Sequence, residues 1–324
     1  MLRSVWMHPW DLEARDPDAV LAWLEAHGRN ACHLAVCYHG GRMVLPMHPS
    51  RRVMDHGSGG CYLPLDPTLF PRPELAPAVE PQWPQWIEPF LAAASRRKFP
   101  VHAWVVLNHR DFCPPAIHDL CLHNVHGDIY TYALCPSNLE VRMAFAELCR
   151  QIEAFGGFAG LQLEGLGYLG YNHQSLHDKT GIDLPPDEVR RLSQCTCAGC
   201  RVGVDRTRIQ QEQLRLIRAA TTLPLCLRTA ADPKFIGGKS TLTAAQSAGL
   251  VQSLCLTWFG AAVDLTGFSR DGFDGPVYGG FIFHGPDCRT REDYQRRAAI
   301  VDGLDGQILY CAGMAAPEHW AWVV

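Results

Sequence analysis

Three thiols in Cys195-Thr-Cys197-Ala-Gly-Cys200 stand at a spacing that lets them converge on one tetrahedral ion, with metal–sulfur distances of about 2.3 Å. A fourth ligand is needed, and Cys135, in Leu-Cys-Pro-Ser-Asn ahead of an expected helix, is the candidate. Four thiolates leave no open coordination position, so a Zn2+ held there would be structural and not catalytic. The alternative is a set of metal-free loop thiols. A second signal is Gly160-Leu-Gln-Leu-Glu164-Gly-Leu-Gly-Tyr168, where an apolar strand ends in a carboxylate and glycines turn the chain. A carboxyl group there, walled by Trp104, Tyr168 and Trp258, is placed to serve as a general acid. A structural ion pair at the rim is the alternative. His173 and His177 follow at a spacing of four and share a face if that piece is helical. They could bind a metal, donate hydrogen bonds to a substrate, or be solvated loop residues.

The elements that must position these residues alternate. Short apolar runs at Ser4–His8, Ala31–Val36, Val101–Leu107, Gly160–Glu164, Pro224–Arg228, Val251–Leu256, Val277–Phe283 and Gln307–Cys311 read as strands covered on both faces. Amphipathic segments at Leu21–Ala26, Trp83–Arg97, Asn138–Phe155, Asp205–Thr221, Ser240–Ala248 and Thr290–Val301 read as helices between them. This order predicts one (β/α)8 TIM barrel over residues 1–324, with an open doubly wound sheet as the other arrangement. No Gly-x-Gly-x-x-Gly follows an early strand, which argues against the open sheet. Little chain follows the last strand, so the eighth helix should be short or missing.

Three connections are long, Cys37–Pro81, Asn108–Pro136 and Gly165–Val202, and each runs from a strand to a helix. Such loops lie on the C-terminal face of a barrel, where active sites of this fold are built. The expected face is therefore the one above strands 2, 3 and 4, and the insertion at about 165–202 carries the cysteine motif. Polar and aromatic residues at strand ends would line the mouth: His8, His39, Asn108, His109, Arg228, Trp258, Tyr278 and His284, with Tyr168, His173 and His177 from the long loop. Aromatic faces and hydrogen-bonding groups together suit a polyhydroxylated ligand.

Composition narrows the classes. Hydrophobic residues make up 47% of the 324 and charged residues 19%, a globular balance. With 29 Lys and Arg against 33 Asp and Glu, the net charge of −4 gives nucleic acid no electrostatic footing. No apolar run is long enough for a membrane span, and Met-Leu-Arg-Ser-Val-Trp-Met-His does not read as a signal peptide. A cytoplasmic protein is expected, in which most of the 14 cysteines are core thiols or ligands and not disulfides. The expected partner is a small carbohydrate or glycoside, with neither nucleic acid nor membrane, and a homo-oligomer is compatible with the sequence.

A strand-4 Glu, the later Cys-x-Cys-x-x-Cys and the earlier Cys-Pro-Ser-Asn together resemble glycoside hydrolase family 42 β-galactosidases and related clan-A barrels, over roughly residues 100–201. The same stretch is similar to a group of uncharacterised bacterial glycosidase-like barrel proteins. The resemblance implies zinc on Cys135, Cys195, Cys197 and Cys200, and Glu164 as acid/base. It also implies a second Glu at the end of strand 7, but this chain reads Val-Tyr-Gly-Gly-Phe-Ile-Phe-His-Gly-Pro-Asp there. Asp287 is the nearest substitute and Asp111 the next. Three functions follow: a glycoside hydrolase using Glu164 as proton donor; a metal-dependent lyase, isomerase or hydrolase using strand-end histidines; or an inactive carbohydrate-binding barrel in which a fixed Arg neutralises Glu164.

Overall fold

The computed structural model describes residues 1–171, 183–200, 203–230, 249–258, 270 and 273–323, with only the backbone of Ala230 and Trp258. Eight parallel strands close on themselves: β1 (Leu2–Met7), β2 (Cys32–Tyr38), β3 (Val101–Val106), β4 (Gly160–Glu164), β5 (Leu225–Ala230), β6 (Ser253–Trp258), β7 (Val277–Ile282) and β8 (Gly306–Tyr310). β1 pairs with both β2 and β8, which closes the barrel and excludes the open sheet.

The described helices are α1 (Pro17–Ala26), α2 (Pro84–Arg97), α3 (Leu139–Phe155), α4 (Pro186–Leu192), α5 (Arg206–Ala220), α6 (Arg291–Val301) and α7 (Pro317–Val323). The helix expected over Ser240–Ala248 lies outside the described residues. Capping explains several starts. Asp16 accepts from the Ala19 amide at 3.0 Å, Asp205 accepts from Arg208 at 3.1 Å, and Thr290 and Asp293 form a reciprocal box. The last described helix, α7, anchors through Trp320, which is buried with its ring 4.5 Å from Trp23 of α1. Among the described residues no helix is long and apolar enough to cross a membrane.

The long connections are not bare loops. Gly41–Val44 pairs antiparallel with Val53–His56, and Cys121–His123 pairs with Ile129–Leu134. Gly60–Cys61 adds antiparallel to the end of β2. These ribbons let the connecting backbone satisfy its own hydrogen bonds.

The barrel interior is unusually aromatic and polar. At its base the Ser4 hydroxyl meets His33 Nδ1 at 2.8 Å, and His33 stacks on His102 at 4.8 Å. Above them Trp6 Nε1 donates to Gln162 Oε1, whose amide reaches Cys226 Sγ at 3.8 Å. Trp6 fits because β7 offers no side chain opposite it. A Cβ on Gly280 would come within 2.3 Å of Trp6 Cη2 and 2.7 Å of Thr257 Cγ2.

Two outcomes follow. Gly280→Ala should destabilise the fold by about 1–3 kcal/mol, because a fully packed interior cannot absorb the methyl group. Gly303→Ala, whose Cβ would meet nothing within 4 Å, should stay within about 0.5 kcal/mol. Urea unfolding of both variants checks this, and equal midpoints would refute the packing argument. Burial also lowers His8 to about 3, His102 and His284 to about 4, and His33 well below its ordinary value. Their folded values lie below the unfolded value near 6.5, so the unfolded chain takes up protons first. Stability should therefore be full above pH 6.5 and fall steadily toward pH 4. Asp11, raised by burial to about 6, works in the opposite direction in this window, but it is one group against six, since burial lowers His48 and His56 as well. A urea midpoint that does not move between pH 7 and pH 5 would contradict this account.

Candidate functional site

β4 turns Gly160, Gln162 and Glu164 into the barrel, and Leu161 and Leu163 are buried on its other face. Gly165 then takes a positive φ of 67°, which a residue with a side chain adopts only at a cost. This turn leaves Glu164 at the mouth. Glu164 Oε2 accepts from Trp104 Nε1 at 2.6 Å and pairs with Arg228 Nη1. The Arg228 side chain is only 2% exposed, against 26% for Glu164. Its guanidinium lies 4.6 Å from the Trp6 ring, 5.0 Å from Trp104 and 5.9 Å from Tyr310. Tyr310 exchanges a hydroxyl hydrogen bond of 3.0 Å with Tyr38, which meets Trp104 edge-on at 4.6 Å. Both fixed contacts fall on Oε2. Oε1 is neither enclosed nor bonded by any described residue.

His8 joins this wall from just past the end of β1. It is buried, stacks on Trp10 at 4.5 Å and meets Tyr38 and Trp104 at 5.0 and 5.5 Å. Burial first, and then the charges of His39, His56 and Arg228, lower it to about 3, so it stays neutral at working pH. Its Nε2 has no hydrogen-bond partner among the described residues.

Beside this group, between the connections after β2 and β3, lies a cavity of about 360 Å³. Tyr38 and Val106 line it, and Val106 is the register partner of Glu164. His39 stacks on Tyr38 at 4.1 Å and meets the His109 ring, tilted, at 4.5 Å. Asp111 faces the same space, with Oδ2 accepting from the Gly40 amide at 2.6 Å.

Cys135, Cys195, Cys197 and Cys200 come together, their sulfurs all within 4.8 Å of one another. Cys135 Sγ stands 3.5 Å from Cys200, 3.7 Å from Cys195 and 3.6 Å from Cys197. A disulfide would need about 2.05 Å, whereas a tetrahedron of sulfurs about 2.3 Å from a central ion has edges of roughly 3.8 Å. Donation from Cys135, then Cys195 and Cys200, holds the Cys197 thiol well below its ordinary range. The cluster joins the two loops. Thr196 bonds the carbonyls of His123 and Asn124, and Tyr130 bonds that of Leu192. Among the described residues this is the one convergence of three or more metal-ligand side chains. His8, His39, His109 and Glu164 do not form a second.

Several expected residues have other places. Tyr278 is the second residue of β7, opposite Gly306, so it lies at the N-terminal end of the barrel, away from the mouth; strand 7 starts too late for it to reach. Tyr168 bonds Ser137 at 2.7 Å and lies under the Arg206 guanidinium at 4.8 Å, so it packs beside the thiol cluster and not along the Glu164 wall. Asn108 is buried, and its amide staples the carbonyls of Leu166 and Gly167, holding the turn after Glu164. Arg228 is the counter-ion of Glu164 and not an open ligand contact. His284 is buried and accepts from the Cys311 amide at 3.1 Å. Asp287 is exposed on the loop after β7, and its carbonyl takes Arg297. His173, His177 and the Trp258 side chain lie outside the described residues. Sequence reasoning passed over Trp6, Tyr38 and Tyr310, although the alternation Ser4, Trp6, His8 along β1 already marked one inward face.

No protein-family profile and no curated protein sequence matches the chain. Its fold is similar to solved structures at low identity. One is α-L-fucosidase isoenzyme 2 from Paenibacillus thiaminolyticus, with TM-score 0.57 and 11% identity over 100% of this chain and 48% of that one. Another is the glycoside hydrolase domain of PgaB (BpsB) from Bordetella bronchiseptica, with TM-score 0.53 and 12% identity over 100% and 98%. A third is the family 20 exo-β-N-acetylglucosaminidase from Vibrio harveyi, with TM-score 0.54 and 12% identity over 99% and 53%. The chain thus spans about half the length of the fucosidase and of the glucosaminidase, and nearly all of the PgaB domain. At these identities the likeness establishes a shared barrel fold.

Proposed function

We propose that this barrel acts on a glycosidic bond of a carbohydrate held at its C-terminal mouth, with Glu164 as the carboxylate that meets the sugar. The observation that carries this is the asymmetry of Glu164: Oε2 is held by Trp104 and Arg228, and Oε1 is left open at the mouth. The glycosidase folds that the barrel resembles and the family 42-like stretch around Glu164 point the same way. A carboxylate fixed at one oxygen is pre-aimed, and preorganisation of that kind lowers the cost of reaching a transition state. Its role follows from its partner. With Trp104 and Arg228 both on Oε2, the other oxygen is the one aimed into the mouth, where it can meet the anomeric carbon. The pairing favours Glu164 as nucleophile, or as stabiliser of the positive charge that develops on the sugar. The proton donor is then another group. Asp111 serves this role less well because Gly40 holds it in the neighbouring cavity, and Asp287 because it stands exposed.

The same Arg228 contact supports a second reading, a barrel that binds carbohydrate without cleaving it. Aryl glycosides separate the readings. Glu164→Gln should lower kcat at least about 10³-fold while glycan binding persists. Azide added to Glu164→Ala should restore turnover of a 2,4-dinitrophenyl glycoside and give a glycosyl azide of inverted configuration if Glu164 is the nucleophile. An azide of retained configuration would assign it to acid/base work. Native protein that binds glycans but cleaves no glycoside supports the binding reading, and protein that binds none overturns both.

The thiol cluster is read as a structural zinc site. Soft sulfur donors at tetrahedral spacing with no open position fit that ion, and Cys135, Cys195, Cys197 and Cys200 would hold it. Zinc there would clamp the connections after β3 and β4 and supply no step of the reaction. Metal analysis of purified protein should find about one zinc per chain. Cys197→Ser should lose it and melt several degrees lower, since binding energy at such a site is also folding energy. Unchanged metal content and melting would refute the assignment.

A further inference from the structure

We infer that the cavity between the connections after β2 and β3 is a second sugar subsite, so that the ligand is an oligosaccharide of at least two residues. This rests on the reading of Glu164 as the residue that meets the sugar and extends it to a substrate class.

The cavity adjoins that residue directly. Val106 on its floor pairs in register with Glu164, and Tyr38 in its wall meets Trp104, the donor to Glu164. A chain lying on Glu164 therefore enters the cavity with its next residue. The volume of about 360 Å³ is at the lower end of small-molecule pockets, which run from roughly 300 Å³ upward.

Its chemistry suits a ring bearing hydroxyls. Asp111 is held rigidly, Oδ2 by the Gly40 amide at 2.6 Å and close under Gly59, where a Cβ would stand 2.7 Å from that oxygen. Oδ1 is left to accept from a ligand, being neither enclosed nor bonded by a described residue. His39 Nδ1 lies 2.9 Å from the Gly40 carbonyl, which can only accept, so Nδ1 donates there and Nε2 is the ring nitrogen left for a ligand. At the rim stands Phe112, 62% exposed, an aromatic ring with most of its surface in water beside a polar cavity. A sugar ring stacked on Phe112, with hydroxyls donating to Asp111 and hydrogen-bonding His39, uses all three features and gives the exposed ring a purpose.

Calorimetric titration with mono-, di- and trisaccharides of glucose, galactose, fucose and N-acetylglucosamine tests this on the whole protein. For the series that binds, the native protein should hold the disaccharide about tenfold more tightly than the monosaccharide. Phe112→Ala should cut that gain to about threefold or less, and Phe112→Trp should restore it. Phe112 is exposed, so the variants should fold, and their melting curves verify this. No gain from the second residue in the native protein, or a full gain in Phe112→Ala, overturns the subsite and leaves the Glu164 reading standing. Binding of no sugar at all overturns both.

Discussion

A guanidinium buried inside a barrel must be compensated, and much of this structure follows from that need. Taking Arg228 out of water costs several kcal/mol unless charge and hydrogen bonds replace the solvent. Glu164 supplies the charge, and Trp6, Trp104 and Tyr310 supply ring faces. These partners come from β4, β1, β3 and β8, so the compensation holds only if those strands keep their register. A slip of one residue would turn each side chain to the opposite face. Trp6 in turn fills the space that Gly280 leaves empty. The contact that stabilises the interior is thus the one that aims the carboxylate, and fold and site share a single interaction.

The connections above the mouth meet a different constraint. They are too long to be held by the barrel alone, so they carry a small core of their own. Leu122, Ala133, Tyr168 and Leu169 pack with the four thiols, and Ile209 of α5 packs against the group. The thiols sit where the β3 and β4 connections meet, and Asn108 ties the same region back to the strand end. The outcome is that the connections after β3 and β4 are tied to each other, and the turn after Glu164 is held by Asn108. Between the β2 and β3 connections the cavity with Asp111 and Phe112 opens.

Local chemistry made much of this legible in advance. Apolar runs separated by capped amphipathic segments dictate strand and helix, and their repetition dictates a barrel. Gly160–Glu164 came out as a strand with the same bounds. Cys135 could be joined to Cys195, Cys197 and Cys200 because a closed tetrahedral site needs a fourth donor. What a sequence could not display is what stands across the barrel. Arg228 reads as a polar strand end, yet only closure sets it against Trp6 and Tyr310, which are more than 80 residues away on either side. Tyr278 reads as a residue of the mouth strand, but the start of β7 relative to β8 puts it at the opposite end. Tyr168 and Asn108 have the right types for a ligand site, and hydrogen bonds within the loops claim them first. Residue type and spacing determined the elements, the carboxylate and the thiol set, because those depend on neighbours in the chain. The tertiary structure alone decided which groups face one another, because register and closure bring together residues that local sequence never compares.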